Sequence, residues 1–506
     1  MKYELISGRK FNRTVVVLDE VDIFACAYNE NVKKIKFTDE IAPKGATMSG
    51  FSNSIIDLSK DKDGSVVGWI EDDGVYKVST QKKGQKIIFN EDCDYMFEDC
   101  TKLKGIDFNF IDTSKVEGMS SMFSNCHCLE KLNLSVFDTS NVKDMSGMFA
   151  GCENLRELDL SNFDTSKVEY MSHMFRGCKN ITQLDLSNLD TSKVVDMQEM
   201  FAFCDKLKQL DLSGFNTSKV QDMSRMLLYC AKLKQLDLSA FDTSNVTDMN
   251  NMFADCYELK DIGLSNFNTS KVVDMSYMFD RCENLKKLDL NGFDTHNVKN
   301  MNSMFSDCKS LKELDLSSFD TSKVENMAGI LGGCENLKEL DLSSFDTSKV
   351  EIMTWMFAYC TSLKELNLST FNTSQVKDMS AMFKDCINLE KLDLSHFDTS
   401  KVKDMSEMFS CCENLKELNL SSFDTSNVDM IYNIFDNTYN LLKERLNTSD
   451  RYILSKFKEE KTPKKEKLLA SENINPKNLK MKDSKKKEGK ENSFHSLDDS
   501  DNDIPF

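Results

Sequence analysis

The sequence predicts an α/β repeat solenoid of about thirteen 26-residue turns, with a parallel sheet on one face, a β cap before it and a helical cap after it. Three observations carry that reading. Thirteen cysteines run from Cys100 to Cys412, each 26 residues after the last and without an insertion. A fixed period of this size marks stacked units rather than one globular core. In the turn that starts at Cys152, leucines at +3, +6 and +8 from the cysteine (Leu155, Leu158, Leu160) alternate with polar residues, the period of a half-buried strand. Val168, Met171, Met174, Phe175 and Cys178 then recur at spacings of three and four. That spacing predicts a short helix or 3₁₀ segment in the second half of each turn.

The elements follow in order. Residues 1–64 are irregular but β-rich, with VVVL at 15–18 and IKF at 35–37 as strand candidates. Residues 65–99 read as the N-terminal cap. Residues 100–438 are the repeats: a strand, a DTS corner of short polar side chains that bond nearby backbone, and the apolar second half. No single turn can close its own core, so stacking must bury the Leu, Phe, Val, Met and Cys columns. Leu227 and Leu331 replace the column phenylalanine, a change a packed core tolerates. Thr438 takes the next cysteine slot and the period stops; 439–457 reads as a closing helix. Residues 456–492 carry 13 Lys against 7 Asp and Glu, so 458–492 reads as a Lys-rich disordered tether. Residues 493–506 hold four Asp and no Lys or Arg, an acidic tip.

Composition excludes several classes. The chain has 506 residues, 40% of them hydrophobic, and a net charge of −19. That charge argues against specific direct nucleic-acid binding. No run approaches a membrane span, and MKYELISGRKF holds no apolar core of signal-peptide length. The expectation is a cytoplasmic protein, with the cell surface, reached by an unrecognised route, as the alternative. The cysteines read as buried free thiols, because stacked Cβ vectors would run parallel and suit a bridge poorly. Metal-ligand pairs at short spacing, phosphate loops and nucleophile motifs are missing. No cofactor, no metal and no enzymatic activity are expected.

Two surface columns are candidates. At +7, between the strand leucines, stand Asp159, Asp185, Asp211, Asp237, Asp289, Asp315, Asp341 and Asp393, with Asn133, Asn367, Asn419 and Gly263 in other turns. Like charges at strand spacing repel. The strip reads either as a surface for a basic or cation-bearing partner or as a solvated face. The +5 column mixes Glu157, Gln183, Gln209, Lys287, Glu339 and Lys391, as a recognition face or an unconstrained surface would.

The repeat LDLSxFDTSKVxDMSxMFxxC resembles the BspA-type leucine-rich-repeat proteins of bacteria, over roughly 65–438 and including SVVGWIEDDGVYKVST. The resemblance implies a leucine-rich-repeat stack and a surface protein or lipoprotein, in some members an adhesin for host or matrix proteins. The last residues, SFHSLDDSDNDIPF, resemble the C-terminal tip of bacterial single-stranded DNA-binding protein. That resemblance implies docking of replication, recombination and repair enzymes. Ile504 and Phe506 would enter an apolar pocket, and Pro505 would limit the conformations to be frozen. Asp498, Asp499, Asp501 and Asp503 would meet basic residues on the rim. The functional expectation is a non-catalytic protein–protein interaction scaffold, with the solenoid face on an unknown partner and the tip on genome-maintenance enzymes. The alternative is a surface-associated adhesin or host- or matrix-binding protein.

Overall fold

The computed structural model describes residues 32–43, 56–59, 64–71 and 73–460. The chain winds in right-register coils, each laid directly on the last. On the strand side, short parallel strands pair at an offset of 26, as in Gln183↔Gln209, Gln235↔Asp261 and Lys391↔Glu417. These strands are two or three residues long and fall into small separate sheets rather than one continuous sheet. The continuous ladder lies elsewhere. Single parallel bridges at +18 link Asp92↔Gly118, Gly118↔Asp144 and so on without a gap to Asp404↔Met430.

The second half of each coil is not helical, which corrects the expectation drawn from its spacing. In the coil of Cys100, the N–H groups of Met119, Ser121, Phe123 and Asn125 donate to the next coil, on Asp144, Ser146, Met148 and Ala150. Between them, Met122 donates to Met119, Ser124 to Ser121 and Cys126 to Phe123, closing three-residue turns. A helix would point all these donors at its own backbone and occupy about 10–12 Å of width. Coils bonded at the strand spacing of about 4.8 Å leave no room for one. A run of turns satisfies the same groups and repeats its apolar residues at the same intervals of three and four. Among the described residues the only α-helix is α1 (Arg451–Glu460), so the repeat region is built of strands and turns.

The core consists of columns. Phe123, Phe149, Phe175 and Phe201 stack nearly parallel, with centroids 5.6–5.8 Å apart. Leu227 and Leu331 fill the column where phenylalanine is absent and are fully buried. From Cys126 to Cys412 each thiol donates to the carbonyl 29 residues earlier, as Cys178 does to Phe149 at 3.3 Å and Cys308 to Phe279 at 3.2 Å. That carbonyl already receives the backbone N–H three residues on, so the thiol supplies its second donor. Burial pushes the Cys204 and Cys256 thiols up to about 12. The corner threonines do similar work. Thr139 donates to the Asp164 carbonyl at 3.0 Å and accepts the Asp164 N–H at 2.9 Å.

The N-terminal end closes with β-structure. The elements are β1 (Lys34–Thr38), β2 (Ile56–Asp57), β3 (Val67–Ile70), β4 (Val75–Ser79), β5 (Ile87–Ile88), β6 (Gly105–Asp107) and β7 (Ile111–Asp112). Five of them form a sheet in the order β2-β3-β4-β1-β6. β1 lies parallel between β4 and β6, so the sheet crosses the expected division at 64/65. Gly68 permits its packing, since a Cβ there would lie 2.2 Å from the buried Tyr76 hydroxyl. The VVVL segment lies outside the described residues.

The C-terminal end differs from the single helix expected over 439–457. A 3₁₀ turn (Lys443–Arg445) leads into a strand (Leu446–Asn447) that pairs with Leu418 and Asn419, prolonging the leucine column by one rung. Asp450 then does two jobs. Its Oδ1 accepts the N–H groups of Tyr452 and Ile453, capping α1. Its Oδ2 accepts the N–H and hydroxyl of Thr425, standing in for the next coil. Burial raises its carboxyl, but the hydrogen bonds from Ile453, Thr425 and Tyr452 outweigh this and hold it below its usual value. Phe457 of α1 closes the phenylalanine column edge-on against Phe435, 5.3 Å between centroids. The tether and the acidic tip lie outside the described residues.

Two outcomes test this packing. Phe175→Ala is expected to destabilise the solenoid by about 3–5 kcal/mol in urea unfolding through a core cavity. A loss no larger than that of the exposed Glu157→Ala would disprove the column. Asp450→Ala is expected to cost about 1–2 kcal/mol and to free the amides of α1 to hydrogen exchange. Because the Asp450 pKa is depressed in the fold, its stabilisation is present above the unfolded carboxyl value and is lost as pH falls through the folded one. The difference between wild type and variant should therefore vanish in acid.

Candidate functional site

The acidic strip is present as a surface. Asp159, Asp185, Asp211, Asp237, Asp289, Asp315, Asp341 and Asp393 are all exposed along the strand side. Each also accepts the backbone N–H two residues on, at 2.9–3.2 Å. The asparagines in the column do the same: Asn133, Asn367 and Asn419 accept from Ser135, Ser369 and Ser421. The position therefore needs an acceptor oxygen and not a charge. Bonds from the serine two residues on hold Asp159, Asp185, Asp211, Asp237, Asp315, Asp341 and Asp393 below the usual carboxylate range. The same Asp-x-Ser device recurs at the two other corners of a coil, as Asp138 with Ser140 and Asp144 with Ser146. All three pairs are legible in the repeat as D-x-S. In the +5 column, Glu157 and Lys391 form exposed cross-coil pairs with Lys131 and Glu417, at 3.5 and 3.4 Å.

The structure singles out a different face, on the turn side. Two positions per coil, +21 and +25, take left-handed backbone in every coil, with φ of 50° to 59° at the non-glycine residues from Asp99 onward. Glycine and asparagine adopt this region most cheaply. Several coils comply, with Gly147, Gly151, Gly177, Gly329 and Gly333. The middle coils instead place His173, Glu199, Phe203, Arg225, Tyr229, Tyr277, Arg281, Trp355 and Tyr359 there. These are bulky side chains at positions where each costs about 1 kcal/mol or more in backbone strain.

They form two patches. In the first, the buried Glu199 carboxylate is held by Arg176 at 2.6 Å and Arg225 at 3.3 Å, with His173 at 3.9 Å. Burial pushes the His173 imidazole below its usual value. The Arg176 guanidinium lies 5.3 Å from the centre of the Phe203 ring, Phe203 stacks on Tyr229, and Tyr229 meets Tyr257 edge-on. The Tyr257 hydroxyl donates to Asp255, which also pairs with Arg281 at 3.1 Å. Beside them burial, with the like charges of Asp255 and Asp307, pushes the Asp280 carboxyl up to about 7, against the Ser306 bond that lowers it. In the second patch Trp355 stacks on Tyr359, with the Lys384 ammonium 4.9 Å from the tryptophan ring centre. Lys384 also pairs with Glu407.

Reading the second half as a helix hid these columns. One signal could have found them: Asp99, Asn125, Gly151, Gly177, Asp255, Asp307, Gly333, Asp385 and Asn437 share the +25 slot, and their types tolerate positive φ. Among the described residues, no group of three or more His, Cys, Asp or Glu side chains is arranged to hold a metal ion. Among the same residues, no helix is long and apolar enough to cross a membrane.

Comparison with known proteins adds a family. The model of the family described as "Mycoplasma protein of unknown function, DUF285" matches residues 91–210, 157–261, 231–340, 258–367 and 329–448. The chain belongs to this family. Its repeat is the repeat of these coils, and the match ends before the tether and the tip. No curated protein matches the chain. Among solved structures it is similar to a leucine-rich cell-surface protein from Faecalibacterium prausnitzii A2-165, with 15% identity over 78% of this chain and 96% of that one, TM-score 0.35. It is also similar to a leucine-rich-repeat protein of T. pallidum, with 17% identity over 40% of this chain and 79% of that one, TM-score 0.23.

The aspartate corners generate a prediction. Their depressed pKa values mean that their stabilisation is complete above the ordinary Asp value of about 3.9 and is lost as pH falls through the folded values. Asp159→Asn, Asp185→Asn and Asp211→Asn together should leave stability at pH 7 unchanged, since asparagine serves the same turns elsewhere. They should move the acid-unfolding midpoint to lower pH. An unmoved midpoint, or clear destabilisation at neutral pH, would count against the acceptor role.

Proposed function

We propose that this chain is a non-catalytic, surface-associated binding protein of the adhesin type. It engages a host or matrix protein through the turn face of the coils around 173–281 and 355–384. The observation that carries the reading is the placement of aromatic and arginine side chains at positions where the backbone favours glycine. These residues are half-exposed, so the core does not repay their strain, and tryptophan, tyrosine and arginine are the types that anchor protein interfaces. Arg176 over Phe203 and Lys384 over Trp355 preorganise the patches, which lowers the ordering cost of binding. The resemblance of the repeat to BspA-type proteins supports the surface assignment. The docking reading of Asp498, Asp499, Asp501, Asp503, Ile504, Pro505 and Phe506 rests on those residues alone, because the family match stops at 448.

The test uses the full chain against immobilised fibronectin, laminin and collagen, beside Phe203→Asn, Tyr229→Asn and Trp355→Asn combined. The variant should melt within a few degrees of wild type, because relief of backbone strain offsets lost ring contacts. Its binding should fall at least about tenfold, the loss of a single anchor of about 1.4 kcal/mol. Equal binding by both would remove the turn face from the reading. No binding by the folded wild type to any of the three would overturn the matrix-adhesin class. Protease treatment of intact cells that leaves the chain uncut would overturn the surface assignment.

A further inference from the structure

The last coil ends in an unfilled row of hydrogen-bond donors. In each earlier coil the N–H groups at +19, +21, +23 and +25 donate to the carbonyls of the next. Met405 reaches Met430 at 2.9 Å, Glu407 reaches Tyr432 at 2.9 Å, Phe409 reaches Ile434 at 3.0 Å and Cys411 reaches Asp436 at 2.7 Å. The corresponding residues of the last coil are Ile431, Asn433, Phe435 and Asn437. Among the described residues the N–H groups of Ile431, Asn433 and Asn437 meet no acceptor. The other parts of this coil are closed: the strand Leu446–Asn447 covers its strand side and Asp450 its corner. Only the turn half is open.

The side chains around this opening are unlike those of an end meant for water. Terminal repeats normally turn a polar face outward. Earlier coils carry aspartate and serine at +18 and +20, as Asp378 with Ser380 and Asp404 with Ser406. Here the same slots hold Met430 and Tyr432, 48% and 55% exposed, and Tyr439 and Leu442 beside them are 67% and 54% exposed. Exposed strand edges are usually protected by lysine or proline. Residues 428–442 contain neither.

We propose that this edge is a second interaction surface, which takes an extended, largely apolar segment of another protein as the next rung of the ladder. Donors alone define the occupant: it must present backbone carbonyls at alternate residues, as each coil presents them to the one before. A second copy cannot dock by the same edge, since donor would face donor. Strand addition of this kind draws affinity from main-chain bonds and selectivity from side chains between them, here Met430 and Tyr432. This edge is separate from the turn face and does not rest on the adhesin reading.

Amide hydrogen exchange on the full chain tests it, with a capped peptide copying Asp378–Lys384 as the probe. In the dilute free chain the amides of Ile431, Asn433 and Asn437 should exchange at least about tenfold faster than those of Met405, Glu407 and Cys411. The peptide should slow the first set to approach the second. Met430→Lys with Tyr432→Lys, the usual edge protection, should abolish that slowing with the melting temperature unchanged. Protection already present in the dilute free chain would mean that the chain covers its own edge, and would overturn the proposal. Protection that rises with protein concentration without peptide would assign the edge to self-association, and would also overturn it. So would a peptide that leaves these amides fast, or one that slows them equally in the lysine variant.

Discussion

The hydrogen bonds between successive coils set every other feature of this molecule. They run on both sides of the coil, through short strands at +5 to +7 and through the turn half from +18 to +25. Both sides therefore keep the same separation, that of neighbouring strands. A residue at a given slot always lies over the residue 26 positions earlier, so each slot becomes a column with one chemical task. Phenylalanine stacks on phenylalanine, threonine bonds the corner ahead, and cysteine supplies a small apolar group with one weak donor for a carbonyl. The separation also excludes helices from the stack, because a helix is about twice as wide as the space available.

The same constraint divides the surface into two kinds. Three corners per coil are fixed by an acceptor oxygen on aspartate or asparagine, and there the side chain is committed to its own backbone. At the two left-handed positions the backbone is committed and the side chain is free. Gly151 and Gly333 show the cheap solution to that geometry. Phe203, Tyr229 and Trp355 show the expensive one, and they gather with arginine and lysine in two places rather than being scattered along the stack. A strained position occupied by a large half-exposed side chain is better explained by what it meets outside the molecule than by what it packs against inside.

The ends show what the ladder demands when it stops. At the N-terminal side, β1 sits between β4 and β6 and carries the parallel register into the first coils. At the C-terminal side, Asp450 replaces a whole corner with one carboxylate, serving Thr425 with one oxygen and the start of α1 with the other. A carboxylate can do this because its two oxygens point in different directions and each accepts more than one donor. The turn half of the last coil receives no such replacement.

The sequence by itself determined the register and the inventory of the core. The cysteine period, the leucines of the strand and the apolar identity of Val168, Met171, Met174 and Phe175 follow from residue types at fixed intervals, and no alternative fold keeps a 26-residue period without insertions. Its D-x-S pairs and the small or amide residues at +25 were also legible, since their chemistry is local to two or three residues. Only the tertiary structure decided between helix and turns, because both place apolar residues every three or four positions and they differ only in where the N–H groups point. That direction depends on how closely the next coil lies, a distance fixed by contacts between residues 26 apart. The functional face followed from it: positive φ at +21 and +25 is a property of the turns, and the meaning of Phe203, Arg281 or Trp355 changes from a helix surface residue to an exposed anchor once the backbone beneath it is known.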